Sequence, residues 1–156
     1  MTGTSFGTDR ASDILALDAA LSRLSADYWY DVDHNAGRNA HGFFVEQDAV
    51  YQIQDQIFAG REAIKGFYAW REGRGERVAR HCFVNARAVF TEQGVAKMTS
   101  ILLLHAADGR PILPTAAPIQ IADVEDTCLL VNGVWRYKSR RLTTLFSGGV
   151  PITLPS

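Results

Sequence analysis

The chain has 156 residues, of which 47% are hydrophobic and 21% charged, and its formal net charge is −1. This length is enough for one domain with a buried core, and the balanced charge gives no electrostatic basis for binding nucleic acid. No apolar run is long enough to span a bilayer, and the polar N-terminus lacks the apolar core of a signal peptide. Two widely separated cysteines, Cys82 and Cys128, indicate free thiols, so we expect a cytoplasmic protein without membrane partners.

Helical periodicity marks the first half of the chain. Residues 1–10 are polar and predict a disordered or loosely docked arm. A first helix is expected from Ser12 or Asp13 to about residues 31–35, a short second helix at about 36–44, and a third from Gly60 to Arg74. The first helix is predicted from five apolar residues at helical spacing, namely Ile14, Leu17, Leu21, Leu24 and Tyr28.

Strand patterns fill the remainder. A small hairpin is expected at 49–59, followed by four long strands at 78–90, 95–105, 119–131 and 134–146. Asn132-Gly133 is a strong signal for a two-residue hairpin, and a bulge is expected near Asp123. The long connection at 106–118 is expected to overhang part of the fold.

Helices followed by long strands predict an α+β domain over residues 11–146. We expect a cone-shaped, curved mixed or antiparallel sheet wrapped around the N-terminal helices, with one open end that forms a small-molecule pocket. The segment 147–156 carries three apolar residues, Val150, Ile152 and Leu154, between glycines and prolines. It is expected to fold as a lid across the mouth of its own cone or of a neighbour's cone, the alternative being a frayed tail.

Asp33 and His81 are the strongest candidates for catalytic residues. Asp33 stands at the C-terminal end of the first helix, where the helix dipole disfavours a carboxylate, so another role is indicated. His81 lies in a long strand and shares one face of it with Phe83 and Asn85 if the alternation is regular. A carboxylate that orients an imidazole makes a general base. Asp31 competes with Asp33 for this role, and a satisfied core histidine is the alternative for His81.

Other residues are candidates for binding a substrate. His105 ends the neighbouring strand and could reach the same cavity mouth, while Tyr28 and Tyr51 could supply aromatic walls and hydroxyls. Phe83 and Asn85 are further candidates for contact with substrate, because they share a strand face with His81. Histidine spacing does not predict a metal site, and no nucleotide fingerprint is present, so neither metal nor cofactor is expected.

Two clusters of basic residues are expected to form ordinary solvated faces and cross-strand pairs. The first comprises Arg71, Arg74, Arg77 and Arg80, and the second comprises Arg136, Lys138, Arg140 and Arg141. Apolar residues on both faces of the late strands, such as Ile101 to Leu104, predict in addition a homo-oligomer, a dimer or trimer built on the outer face of the sheet.

The order of elements and four short stretches resemble the SnoaL-like branch of the nuclear transport factor 2-like superfamily, with its cystatin-like fold. The stretches are residues 46–51, 58–64, 80–81 and 133–136. Within that superfamily, Asp33 and His81 resemble the orienting acid and the base of scytalone dehydratases and hexachlorocyclohexane dehydrochlorinases, and His105 a second pocket histidine of the former. The tyrosine that precedes the acid in scytalone dehydratases is Val32 here, which leaves dehydration possible. The lysine and arginine of the dehydrochlorinases fall near Tyr28 and Leu130, and loss of that basic pair disfavours chloride elimination.

The resemblance implies a cofactor-free lyase of the dehydratase type, acting next to a carbonyl in a small cyclic or polyketide-like, hydrophobic molecule. Two alternatives stay open from the sequence. One is a non-catalytic ligand-binding or partner-subunit domain, and the other is an isomerase of the ketosteroid type with Asp as the base. Contact between Asp33 and His81 inside a closed cavity would favour the lyase over both.

Overall fold

The computed structural model describes residues 8–148 of the chain. Two α-helices and six strands follow each other with one 3-10 helix between them. Their order is α1 (Thr8–Asn35), the 3-10 helix (Ala40–Phe43), β1 (Val50–Ile53), β2 (Gln56–Ala59), α2 (Arg61–Glu72), β3 (Arg77–Glu92), β4 (Val95–Asp108), β5 (Gln120–Val131) and β6 (Val134–Ser147). Neither helix is both long and apolar enough to cross a membrane within this described range.

The six strands form one sheet in the order β2-β1-β6-β5-β4-β3. β1 runs parallel to β6, and every other neighbouring pair is antiparallel. The sheet is therefore mixed, as expected, and α1 packs against its inner face through Leu17, Leu21, Leu24 and Tyr28. The backbone N–H of Ala88 donates to Asp18 Oδ1 at 2.8 Å, which ties α1 to β3. The α+β fold with a curved sheet and N-terminal helices is confirmed.

Helix boundaries differ from the prediction at two places. α1 begins at Thr8 rather than near Ser12, and the expected second helix at 36–44 is shortened to the 3-10 helix Ala40–Phe43. The cause is the end of α1, where Ala36 and Gly37 have φ of 55° and 70° and the Gly37 N–H donates to the Asp31 carbonyl at 3.1 Å. This left-handed termination redirects the chain before another α-helical turn can form.

The predicted bulge near Asp123 lies on the partner strand. The β5–β6 register shifts between Ile121 and Ala122, next to Asp123, whereas Asp123 itself pairs regularly with Ile101 and Thr143. In the β5–β6 pairing the extra residues belong to β6, at Lys138 and Leu145. The predicted two-residue hairpin is confirmed: Val131 pairs with Val134 around Asn132 and Gly133, whose φ values of 51° and 77° suit a type I′ turn.

A bulge in β3 changes which side chains face inward. Val84 pairs with Ile101 and Arg87 with Thr99, so β3 holds one extra residue, and Asn85 has a φ of 53°. Before the bulge the odd-numbered residues face the interior, and after it the even-numbered ones do, as the burial of Ala88 shows. The prediction that Asn85 shares a face with His81 assumed unbroken alternation and is wrong.

Most of the predicted C-terminal lid lies outside the described residues, since the structure describes the chain only as far as residue 148. The predicted arm at 1–10 falls outside them for residues 1–7, and α1 begins at Thr8 within it. The long connection after β4 behaves as expected, because its residues Gly109, Arg110 and Pro111 reach the wall of a cavity.

Candidate functional site

A cavity of about 780 Å³ opens at one end of the cone. Its walls come from the end of α1, from α2, from all strands except β2, and from the connection after β4. Side chains that line it include Trp29, Asp33, Tyr51, Tyr68, Arg71, Arg77, His81, Leu102 and Leu104. Apolar and charged groups are thus combined in a space large enough for a small organic molecule.

Asp33 and His81 are in direct contact in this wall. His81 Nδ1 lies 2.6 Å from Asp33 Oδ1, and the His81 backbone N–H donates to Asp33 Oδ2 at 2.9 Å. Because an ionised carboxylate can only accept hydrogen bonds, Nδ1 carries a proton and donates a hydrogen bond to Oδ1. The carboxylate therefore holds both the ring and the backbone of the histidine, and the predicted contact between the two residues is confirmed.

The surroundings of this pair restrict its motion and its access to water. The side chains of His81 and Asp33 are 14% and 6% exposed. The ring of Trp29 stacks on the His81 ring with a centroid distance of 4.2 Å and an interplanar angle of 4°. Ring orientation is thus set by Trp29 on one face and Asp33 at Nδ1, which leaves Nε2 as the nitrogen available for a ligand.

Asp31, the competing carboxylate, has a structural role. It is buried, and its Oδ2 accepts the Asn39 backbone N–H at 3.0 Å, while its Oδ1 accepts the Asn35 and Asn39 side-chain amides. These bonds satisfy donors in the turn that follows α1. Asp31 thereby shapes the chain just beyond Asp33 without contacting His81.

Three tyrosine hydroxyls meet at the inner end of the cavity. The Tyr28 and Tyr68 hydroxyls are hydrogen-bonded to each other, and Tyr51 interacts with both. Burial is the main cause that raises the pKa of each phenol above its usual value, so all three stay protonated at neutral pH and can donate. Tyr51 and Tyr68 line the cavity. Tyr28 does not, because it is fully buried, so the prediction that it forms a wall of the pocket is wrong; its hydroxyl contacts that of Tyr68.

The remaining predicted residues lie away from the cavity wall. His105 is exposed on the face of β4 opposite to the buried Leu102 and Leu104, so the prediction that it reaches the cavity mouth is wrong. Asn85 is exposed at the β3 bulge. Phe83 is partly buried and packs against the core rather than lining the cavity. In each case the side-chain direction follows from strand phase, which depends on pairing and not on composition.

Sequence reasoning missed Tyr68, Arg71 and Arg77 as residues of the site. Tyr68 and Arg71 lie about one turn apart on the third predicted helix. Helical spacing shows that they share a face but does not show which wall of a cavity that face meets. The ring of Tyr68 packs closely against the backbone of Gly37. A Cβ on Gly37 would lie 2.3 Å from Tyr68 Cδ1, so only glycine fits in the turn after α1. The packing of two distant segments therefore positions this tyrosine.

Behind the site lies a buried ion pair. Arg140 Nε and Nη2 donate to the two oxygens of Asp126 at 2.8 and 2.9 Å, and both side chains are fully buried. Nη2 also donates to Ser25 Oγ at 2.6 Å, and the guanidinium lies over the rings of Tyr28, Trp29 and Tyr137. Arg140 thus forms a cross-strand pair, as predicted for residues 136–141, but the predicted exposure to solvent is wrong for it, because its charge is enclosed under the aromatic residues of the site.

Among the side chains that the structure describes, no three His, Cys, Asp or Glu residues come close enough together to hold a metal ion. The cavity therefore offers one imidazole–carboxylate pair, protonated phenols and guanidinium groups. Such a set can remove a proton, donate hydrogen bonds to a developing oxyanion and bind an anionic group.

Comparison with solved structures places the fold among known ones. A protein titled "Putative Scytalone Dehydratase" from Novosphingobium aromaticivorans DSM 12444 is similar over 90% of this chain and 91% of its own, with a TM-score of 0.76 and 24% identity. A Catenulispora acidiphila structure in complex with S-DNPA covers 83% of this chain and 94% of its own (TM-score 0.71, 20% identity).

A third similar structure is the beta subunit of a "putative aromatic-ring-hydroxylating dioxygenase" from the same Novosphingobium strain. It has a TM-score of 0.73 and 16% identity over 89% of this chain and 94% of its own. Identities this low show a shared fold alone. No curated protein matches the sequence.

The sequence itself matches the SnoaL-like domain over residues 13–141. This range includes the Asp33–His81 pair, both tyrosines that line the cavity, and the buried Arg140. The resemblance inferred from the four short stretches and the order of elements is thereby confirmed. The chain belongs to the SnoaL-like family, in the nuclear transport factor 2-like superfamily with its cystatin-like fold.

Proposed function

We propose that this protein is a cofactor-free lyase that dehydrates a small cyclic or polyketide-like ketone. The observation that carries the proposal is the hydrogen bond between Asp33 and His81 in the wall of the cavity. Nδ1 of His81 is occupied by the carboxylate, so Nε2 is the base. The similarity to a "Putative Scytalone Dehydratase" agrees with this reaction class but is too distant to assign it.

The reaction begins with removal of a proton from the carbon next to the carbonyl. His81 Nε2 takes the proton, and the C–H electrons form the enolate, whose oxygen accepts hydrogen bonds from Tyr51 and Tyr68. The enolate then expels the hydroxyl from the β carbon as its electrons form the new double bond. The imidazolium returns its proton to the leaving oxygen, which departs as water, so His81 ends neutral.

Asp33 acts on His81 rather than on the substrate. It keeps the proton on Nδ1, fixes the plane of the ring and stabilises the imidazolium while that cation exists. Both of its oxygens already accept hydrogen bonds from His81, which argues against the alternative in which Asp33 itself is the base of a ketosteroid-type isomerase. Contact between the two residues supports the lyase over a purely ligand-binding or partner-subunit domain, whereas the open end of the cavity is a feature that a ligand-binding domain would share.

Wild-type protein is expected to accelerate two reactions of bicyclic ketones. The first is exchange of the α-protons of α-tetralone with solvent deuterium, followed by proton NMR. The second is water loss from the tetralone that carries a hydroxyl on the carbon β to its carbonyl, followed by fluorescence of the naphthol formed. Exchange without water loss would favour an isomerase, and acceleration of neither reaction would contradict proton transfer on such ketones.

We further propose a cytoplasmic homo-oligomer, a dimer or trimer. Cys82 and Cys128 are both free thiols, which suits a reducing compartment. On the outer face of the sheet, apolar side chains including Val84, Val89 and Val134 are 43–50% exposed and would be covered by a second copy. Light scattering at micromolar concentration is expected to give a mass of two or three chains, and a monomer would contradict the proposal.

A further inference from the structure

Positive charge exceeds negative charge in the wall of the cavity. Five arginines line it, namely Arg71, Arg74, Arg77, Arg80 and Arg110, and so do four carboxylates, namely Asp33, Glu72, Glu76 and Asp108. Three of the carboxylates are engaged elsewhere: Asp33 binds His81, Glu72 accepts from Arg38 outside the cavity wall, and Glu76 accepts from Arg110. Asp108 is thus the lining carboxylate that remains, and Arg71 and Arg77 are the two arginines beside it. Arg74 lies over the Trp70 ring instead, and Arg80 donates to the Ala79 carbonyl.

Asp108 neutralises the positive charges of Arg71 and Arg77 only weakly. Arg77 Nη1 lies 3.4 Å and Arg71 Nη2 3.9 Å from the same oxygen, Oδ1, and the Asp108 side chain is 72% exposed. The Arg71 side chain is 25% exposed, and its Nη2 is buried without a hydrogen-bond partner among the described residues. A buried charged donor without an acceptor is costly, so the arrangement is incomplete as it stands.

Electrostatics point the same way as the geometry. Burial and then the neighbouring charge of Arg77 lower the pKa of Arg71 below its usual value, and Asp108 offsets this only in part. The guanidinium nevertheless keeps its charge at neutral pH. An anion between the two arginines would supply the missing acceptor and remove their mutual repulsion.

We propose that the ligand of this cavity carries a carboxylate that is bound between Arg71 and Arg77. Two guanidinium groups that share one exposed carboxylate leave an excess of one positive charge, which matches a monoanion. The planar fork of an arginine also fits the two oxygens of a carboxylate. The inference specifies the substrate class of the proposed lyase and rests on that function only for the identity of the reacting group.

The position of the two arginines sets where the carboxylate stands on the ligand. Arg77 and His81 are on the same face of β3, four residues apart and before the bulge. Their Cα atoms are therefore about 13 Å apart along the strand. The carboxylate thus lies at the far end of the molecule from the carbon that loses its proton, as on a skeleton of two rings.

Calorimetric titration with β-naphthoate and its neutral isostere β-naphthamide tests this inference. Wild-type protein is expected to bind the naphthoate at least about tenfold more tightly, since two charge-assisted contacts are made only with the anion. The preference should disappear in Arg71→Gln and fall in Arg77→Gln. Arg87→Gln is the matched control, because Arg87 lies on the same strand but is exposed and away from the cavity.

Melting curves of each variant check that the fold is intact, and the two cavity variants are independent of each other if one fails to fold. Equal affinity for the two probes in the wild type, or an unchanged preference in both variants, would overturn the proposal. His81→Gln should keep the preference for naphthoate, because binding requires no proton transfer. Loss of the anion site and loss of the proposed reaction are therefore distinguishable.

Discussion

His81→Gln is expected to reduce deuterium exchange into α-tetralone to the uncatalysed rate, a loss of roughly 10²–10⁴-fold. Glutamine fills similar space and retains the backbone N–H that donates to Asp33, but it has no basic nitrogen. Asp33→Asn should cause a loss of the same order, because an amide does not stabilise the imidazolium. Proton NMR in deuterated buffer measures both, with circular dichroism to check folding.

His105→Gln is the matched control for this experiment. His105 is exposed and directed away from the cavity, on the strand that pairs with the His81 strand, so its loss should leave the exchange rate unchanged. A His81→Gln protein that exchanges at the wild-type rate would remove His81 from the proposed mechanism. Equal losses in the His105 and His81 variants would point instead to a general effect on the fold.

The largest effect on stability is expected from Asp126→Ala. This change leaves Arg140 fully buried without its carboxylate, and breaking a buried pair in this way costs about 3–5 kcal/mol of the free energy of unfolding. The neighbouring pair Arg141–Glu125 spans the same two strands but has both side chains about half exposed. Glu125→Ala should therefore cost less than about 1 kcal/mol.

Urea unfolding of the two variants gives the comparison directly. The double replacement Asp126→Leu with Arg140→Met should recover much of the loss, because it removes both charges together and fills the space with apolar atoms. Similar costs for Asp126→Ala and Glu125→Ala would show that burial of the pair does not govern its contribution.

Local chemistry made part of the site predictable. Asp33 stood out because a carboxylate at the end of a helix needs a partner, and His81 because a strand placed it in reach of that end. The type I′ turn at Asn132-Gly133 was equally local, since those two residue types favour positive φ. Features of this kind depend on one or two neighbouring residues, and the sequence displays them directly.

Features that depend on packing could not be obtained in the same way. Arg71 and Arg140 were expected to be solvated, because arginines are seldom buried, and only the closed fold places one in the cavity wall and the other under the aromatic residues. The predicted roles of His105 and Asn85 failed for a related reason. Whether a strand residue faces inward depends on the register of the strand, and one bulge exchanges the inward-facing and outward-facing residues beyond it.

Because of the bulge at Asn85, the two halves of β3 face different parts of the interior. The first half presents His81 to the cavity, and the second presents Ala88 to the core, where its N–H is held by Asp18. Residue count is therefore a stricter constraint here than residue identity. Deleting a single residue at the bulge would turn one half of the strand inside out, and an alignment gap misplaced by one position would assign the wrong partners to every side chain beyond it.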